Sequence, residues 1–97
     1  MQINTSNTIY ILGNVQNCYC IGDKMPHMLL RMPWQSIKEE LKQDGFMQIN
    51  DFTLINTKFI IHIKPGRIII LKGGSIHKVS RKFWKHFREC PLVDKWR

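Results

Sequence analysis

Apolar and polar positions follow each other in short runs along most of this chain, and a helical period shows only twice. Thr8–Leu12 (TIYIL) is β-branched and aromatic and predicts a first strand. Gly13-Asn14 starts a turn. Asn17–Gly22 (NCYCIG) predicts a second strand, with Cys18 and Cys20 on one face and Tyr19 and Ile21 on the other. After the Gly22-Asp23 and Pro26 turn, His27–Arg31 reads as a short third strand. Met1–Asn7 is polar and expected to fray, or at most to form an edge.

The period then changes. Trp34, Ile37 and Leu41 recur at i, i+3 and i+7, which predicts a helix over Pro33–Lys42. Ser36 and Glu39 have capping-box spacing, whereas Pro33 suits a first turn, so two starts compete. Gly45 is placed to close the helix as a left-handed cap. Short strands are predicted at Phe46–Ile49, Phe52–Ile55, Lys58–Ile63, Arg67–Leu71 and Ser75–Val79, with turns at Asn50-Asp51, Pro65-Gly66 and Gly73-Gly74. The isoleucine runs Ile60–Ile63 and Ile68–Leu71 barely alternate, so both faces are expected to be covered for part of their length. His62 is expected to share a face with Ile60 and Lys64, at the edge of the core.

The second helical stretch is Ser80–Glu89. Ser80 is a candidate cap. Phe83, Trp84 and Phe87 form an apolar side, with Arg81, Lys85 and Arg88 as a basic stripe beside it. Pro91 stops the helix, and Val93–Arg97 is a tail without a clear pattern. The pattern predicts one β-rich domain with two short helices.

Charge changes the picture. The chain of 97 residues carries a net +8. Residues 1–57 hold four basic and five acidic side chains, while residues 58–97 hold eleven and two. Such asymmetry implies an anionic partner for the C-terminal part, nucleic acid before an anionic membrane surface. A basic solubilising surface is the plainer alternative.

Candidate chemistry narrows the field by exclusion. Cys18-x-Cys20 has no second pair or nearby histidine to complete a zinc site, and Cys90 stands apart. Three cysteines are no disulfide framework and suit a reducing cytoplasm. The histidines at 27, 62, 77 and 86 are scattered, and Gly73-Gly74 lies between strands, where no phosphate cradle forms. Neither an enzyme nor a cofactor is expected. No apolar stretch approaches the roughly 20 residues of a membrane span, and no signal peptide pattern opens the chain, so a soluble cytoplasmic protein is expected.

The order of segments resembles the LytTR DNA-binding domain family. Phe46, Leu54, Ile55, Asn56 and Ile60 fit its Phe…(apolar)₂-Val-Asn…Ile segment. Gly74, Ile76, Val79, Ser80 and Arg81 fit its Gly-x-x-(apolar)-x-Val-Ser-Arg segment, with Phe83 where tyrosine is usual. TIYILGNVQNCYCIG is similar to the opening strand pair, and PWQSIKEEL to the helix. The chain departs from the family at Asn50-Asp51-Phe52, where His-Arg-Ser is favoured, and at Gln48, where arginine is usual. With the LytTR-like part opening this sequence, a stand-alone domain without a receiver domain is expected, and phosphorylation control is not implied.

The resemblance implies an antiparallel multi-sheet β fold that inserts loops into the major groove of double-stranded DNA, as a bacterial transcription regulator does. The implied contacts are Gln16 and Asn17 in a first loop, Asn50 and Asp51 in a second, and Arg81 at a helix start. Charge adds Lys58, Lys78, Lys82 and Lys85 as phosphate contacts. Repeated half-sites and a homodimer on DNA are compatible with this. An RNA or single-strand binder, or a protein-interaction module with a basic face, remain as alternatives.

Overall fold

A computed structural model describes residues 3–96. Eight strands form two antiparallel sheets. The five-stranded sheet comprises β1 (Thr8–Gly13), β2 (Cys18–Gly22), β3 (Met28–Leu30), β4 (Phe46–Asn50) and β5 (Thr53–Asn56), in the order β3-β2-β1-β5-β4. The three-stranded sheet comprises β6 (Ile60–Lys64), β7 (Ile68–Leu71) and β8 (Ile76–Lys78), in chain order. Two helices complete the fold, α1 (Trp34–Leu41) and α2 (Arg81–Glu89). The expected fold class, mainly β with two short helices, is the observed one.

The larger sheet sits between two cores. Ile11, Cys18, Cys20, Leu30, Phe46 and Leu54 point to one face and meet Trp34, Ile37 and Leu41 of α1. Ile9, Met47, Ile49 and Ile55 point to the other, against Ile69 and Leu71 of the small sheet and Phe87 of α2. The period-2 and period-3.6 patterns therefore each find their partner layer. Trp34 lies so close over Gly13 that a Cβ there would run into its ring.

Local signals decide several details differently from the sequence pattern. Helix α1 starts after Pro33, so Ser36 lies inside its first turn and no capping box forms. Glu39 instead accepts from Gln35 and faces Lys42 at 3.6 Å. Ser80 is the N-cap residue of α2, but its side chain makes no cap hydrogen bond. The N–H of Phe83, which such a cap would take, donates back to the Ser80 carbonyl (3.1 Å). Thr57–Phe59 is a 3-10 turn, which delays β6 to Ile60. At the Pro65-Gly66 turn both Gly66 (φ 87°) and Arg67 (φ 63°) are left-handed, which lengthens the connection by one residue. Pro91–Trp96, where the sequence showed no clear pattern from Val93 on, is a 3-10 helix whose Val93 is buried in the core. Residues 1, 2 and 97 lie outside the described residues.

The isoleucine runs are not covered on both faces. A bulge between Ile60 and His62 puts Ile60 opposite Leu71 but His62 opposite Ile70, so these two share no face. His62 and Lys64 turn to solvent, and Ile61 is 40% exposed. The outer face of the small sheet is therefore open, and His62 is a surface histidine.

Candidate nucleic-acid interface

Antiparallel pairing gathers three separate segments at one end of the larger sheet. Leu12 pairs with Thr53, Gly13 with Cys18, and Asn50 with Thr53, so the β1–β2 and β4–β5 loops sit side by side. The Gly13 N–H donates to the Phe52 carbonyl (2.8 Å) and ties them together. The third segment is the start of α2, where the Ser80 N–H donates to the Ile49 carbonyl (2.8 Å). We call this the loop end.

The first loop is an Asx turn. Asn14 Oδ1 accepts from the N–H groups of Gln16 (2.9 Å) and Asn17 (2.8 Å). This leaves the Gln16 and Asn17 side chains without an internal hydrogen bond among the described residues. In the second loop Asn50 Oδ1 accepts from the Phe52 N–H (3.0 Å), which leaves its amide NH₂ as a free donor. Gln48 Nε2 reaches the Asp51 carbonyl at 3.4 Å.

Asp51 does not stand as an unpaired negative charge. Lys82 Nζ donates to Asp51 Oδ1 at 3.1 Å, and both side chains are exposed. Such a surface pair contributes at most about 1 kcal/mol, but it brings helix start and loop together and offsets the carboxylate. Arg81 is exposed and lies next to this pair in the chain.

Phe87 is fully buried, and Phe83 and Trp84 pack partly against the same core, which anchors α2. Its outward side carries Arg81, Lys85 and Arg88, all exposed. Lys78 lies on β8, opposite Ile68, on the open face of the small sheet. Arg67 turns inward, with Nε donating to the Val79 carbonyl (2.9 Å).

Six of the nine residues singled out in the sequence thus share the loop end: Gln16, Asn17, Asn50, Asp51, Arg81 and Lys82. Lys85 follows one helical turn along and Lys78 lies two residues before Ser80. Lys58 is not with them. It follows Asn56, which pairs with Phe46 at the opposite end of β4 and β5, and its Nζ lies 5.4 Å from the centre of the Phe59 ring. Two further residues at the loop end escaped sequence reasoning. Val15 is 75% exposed between Asn14 and Gln16, and Arg31 directly follows Leu30, the partner of Cys18. The strand pairing signals both, although neither stands out in composition.

Burial raises the Cys18 and Cys20 thiols, Cys18 also through its neighbour Cys20, while a hydrogen bond with Thr8 partly offsets the rise at Cys20. Both are core thiols held protonated. No group of three or more metal-ligating side chains occurs among the described residues.

The family model of the LytTr DNA-binding domain matches residues 1–90. The chain belongs to the LytTr DNA-binding domain family. No curated protein matches the chain. Among solved structures it is similar to the LytTr DNA-binding domain of a Bacillus cereus protein described as a methyl-accepting/DNA response regulator. That match has a TM-score of 0.80 at 18% identity, covering 95% of this chain and 85% of the other. As a LytTr domain this chain is a DNA-binding regulatory module, and its family is not one of enzymes. No helix among the described residues is long and apolar enough to cross a membrane.

Proposed function

We propose that this LytTr domain is a cytoplasmic, sequence-specific regulator of transcription that reads the major groove of double-stranded DNA with its loop end. The observation that carries this is the convergence of Gln16 and Asn17, Asn50, and Arg81 at one end of the sheet, with hydrogen-bonding groups unspent inside the fold. Arg81 reads a base edge, best guanine O6 and N7, which match its planar fork. Asn17 and Asn50 reach bases or sugars. Lys78, Lys82 and Lys85 meet phosphates and set the register. Two copies occupy repeated half-sites, each through its own loop end.

Selection from random duplexes yields the site, and its variants then test the roles. Arg81→Ala lowers affinity for the selected site by roughly 1–3 kcal/mol and relaxes preference at one base position. Equal losses on selected and random duplexes would remove Arg81 from base recognition. Preferential competition by single strands would replace duplex reading with single-strand binding.

A further inference from the structure

The open edge of the small sheet carries a second inference. Strand β8 pairs with β7 on one side, and its bonds can be assigned from its ends. The Leu71 N–H donates to the Ser75 carbonyl (3.0 Å) and the Val79 N–H to the Arg67 carbonyl (2.8 Å). In an antiparallel ladder hydrogen-bonded positions alternate, so Ser75, His77 and Val79 bond to β7. Ile76 and Lys78 therefore aim their N–H and C=O groups away from β7, at the free edge. No hydrogen bond among the described residues reaches these four groups. Ile76 is 69% exposed, which is high for an isoleucine in a strand, and Lys78 is exposed beside it.

We propose that a second copy of this chain docks on β8 edge to edge, across a two-fold axis through His77, and that the resulting dimer holds two separate duplex segments. The edge is self-complementary in one register. With His77 opposite the partner's His77, Ile76 faces the partner's Lys78 and Lys78 faces the partner's Ile76. All four backbone groups on each side are then used. A register centred on Lys78 sets lysine against lysine. One centred on Ile76 brings in Gly74, whose N–H is already spent on the Leu71 carbonyl (2.9 Å). Lysine on an edge strand ordinarily guards against pairing. Here it meets an aliphatic side chain, and the two lysines lie on a diagonal from which they reach solvent.

The direction of β8 sets the consequence. It runs towards Ser80, whose N–H bonds to Ile49 at the loop end. Antiparallel pairing reverses that direction in the second copy, so the two loop ends point away from each other. Two copies on adjacent half-sites of one duplex do not use this contact, whereas two duplex segments do. A three-residue strand buries little, and each copy carries +8, so DNA supports the association by neutralising charge and raising local concentration.

The bridging part rests on the DNA-reading role proposed above. The test immobilises one duplex bearing the selected site and measures capture of a second, labelled duplex. The wild-type chain is expected to retain the labelled duplex, and Ile76→Pro to lower retention at least tenfold. That substitution removes only the outward donor and leaves the β7–β8 ladder intact. Single-duplex affinity is expected to stay within twofold. Ile76→Lys, which opposes two lysines in the same register, is expected to fail similarly. Retention by Ile76→Pro equal to wild type would overturn the β8 contact, as would wild-type protein that binds one duplex and sediments as a monomer on it. Absence of single-duplex binding would sink the DNA-reading role instead. The contact is then judged by sedimentation of the protein alone at high salt, where a monomer at every concentration overturns it.

Discussion

The two ends of the five-stranded sheet use the same residue type in opposite ways. At the closed end Asn56 is 2% exposed, and its Nδ2 donates to the Thr5 and Thr8 carbonyls at 3.0 Å each. Its Oδ1 accepts from the Lys58 N–H (3.3 Å), and Thr57 Oγ1 donates to the Gly45 carbonyl (2.8 Å). Lys72 is paired with Asp23 at 2.7 Å not far away. At the loop end Asn50 spends one oxygen on its own turn, and the Asn17 side chain spends nothing within the described residues. Polar groups consumed internally hold a fold together, and those left over are available to a ligand. The contrast explains why an asparagine in a family motif and an asparagine in a loop are not equivalent candidates.

The strongest way to break the contrast is at Asn56. Asn56→Ala removes the donor to the Thr5 and Thr8 carbonyls and the acceptor of the Lys58 N–H, and is expected to lower stability by about 2–4 kcal/mol. Denaturant unfolding measures this, while the fraction that remains folded binds DNA as before. A loss of DNA affinity at unchanged stability would show that the closed end also reads the ligand.

Between the ends, His77 packs edge-on against Tyr10 with ring centroids 4.5 Å apart, and its Nε2 lies 3.0 Å from Ser75 Oγ. Burial pushes its pKa below the usual histidine value. The folded state therefore binds fewer protons than the unfolded chain. Its contribution is complete above the unfolded value of about 6.5 and is lost as pH falls through the folded value. His77→Phe keeps the edge-on contact and is expected to flatten this acid-side slope in unfolding curves at a series of pH values.

A smaller effect separates the lysines. Lys85→Ala is expected to weaken binding on all duplexes alike and to reduce the salt slope of log K by about 1, whereas Lys58→Ala, at the closed end, leaves both unchanged. Fluorescence anisotropy over a salt series measures both. The smallest change expected is at Asp51. Asp51→Asn removes a carboxylate from the loop end and frees Lys82, which should tighten binding a few-fold at low salt. Weaker binding instead would mean that the carboxylate accepts from a base, as cytosine N4 can donate.

Much of this was legible in the sequence, for particular reasons. TIYIL and NCYCIG specify strands because their β-branched and alternating side chains suit a pleated, half-buried surface. Trp34, Ile37 and Leu41 specify a helix because only a 3.6 period brings them to one face, and all three are buried. The concentration of cations after residue 57 was equally visible, whereas Gln16, Asn17, Asn50 and Asp51 stood out only through the family resemblance. Lys58 lies at the closed end, apart from the other singled-out residues, because charge along a chain carries no information about which end of a strand a residue will reach. His62 was misplaced because one bulged residue reverses every later side chain, and the isoleucine run contains nothing to mark it.

Residue order alone specified most strands and both helices, most of the turns and the sign of the partner, since these depend on neighbours within a few residues. The tertiary structure decided which loops share an end, that Lys82 meets Asp51, and that β8 keeps an open edge. These follow from pairings between residues far apart in the chain. They depend on register and on the order β3-β2-β1-β5-β4, which no short window of residues contains.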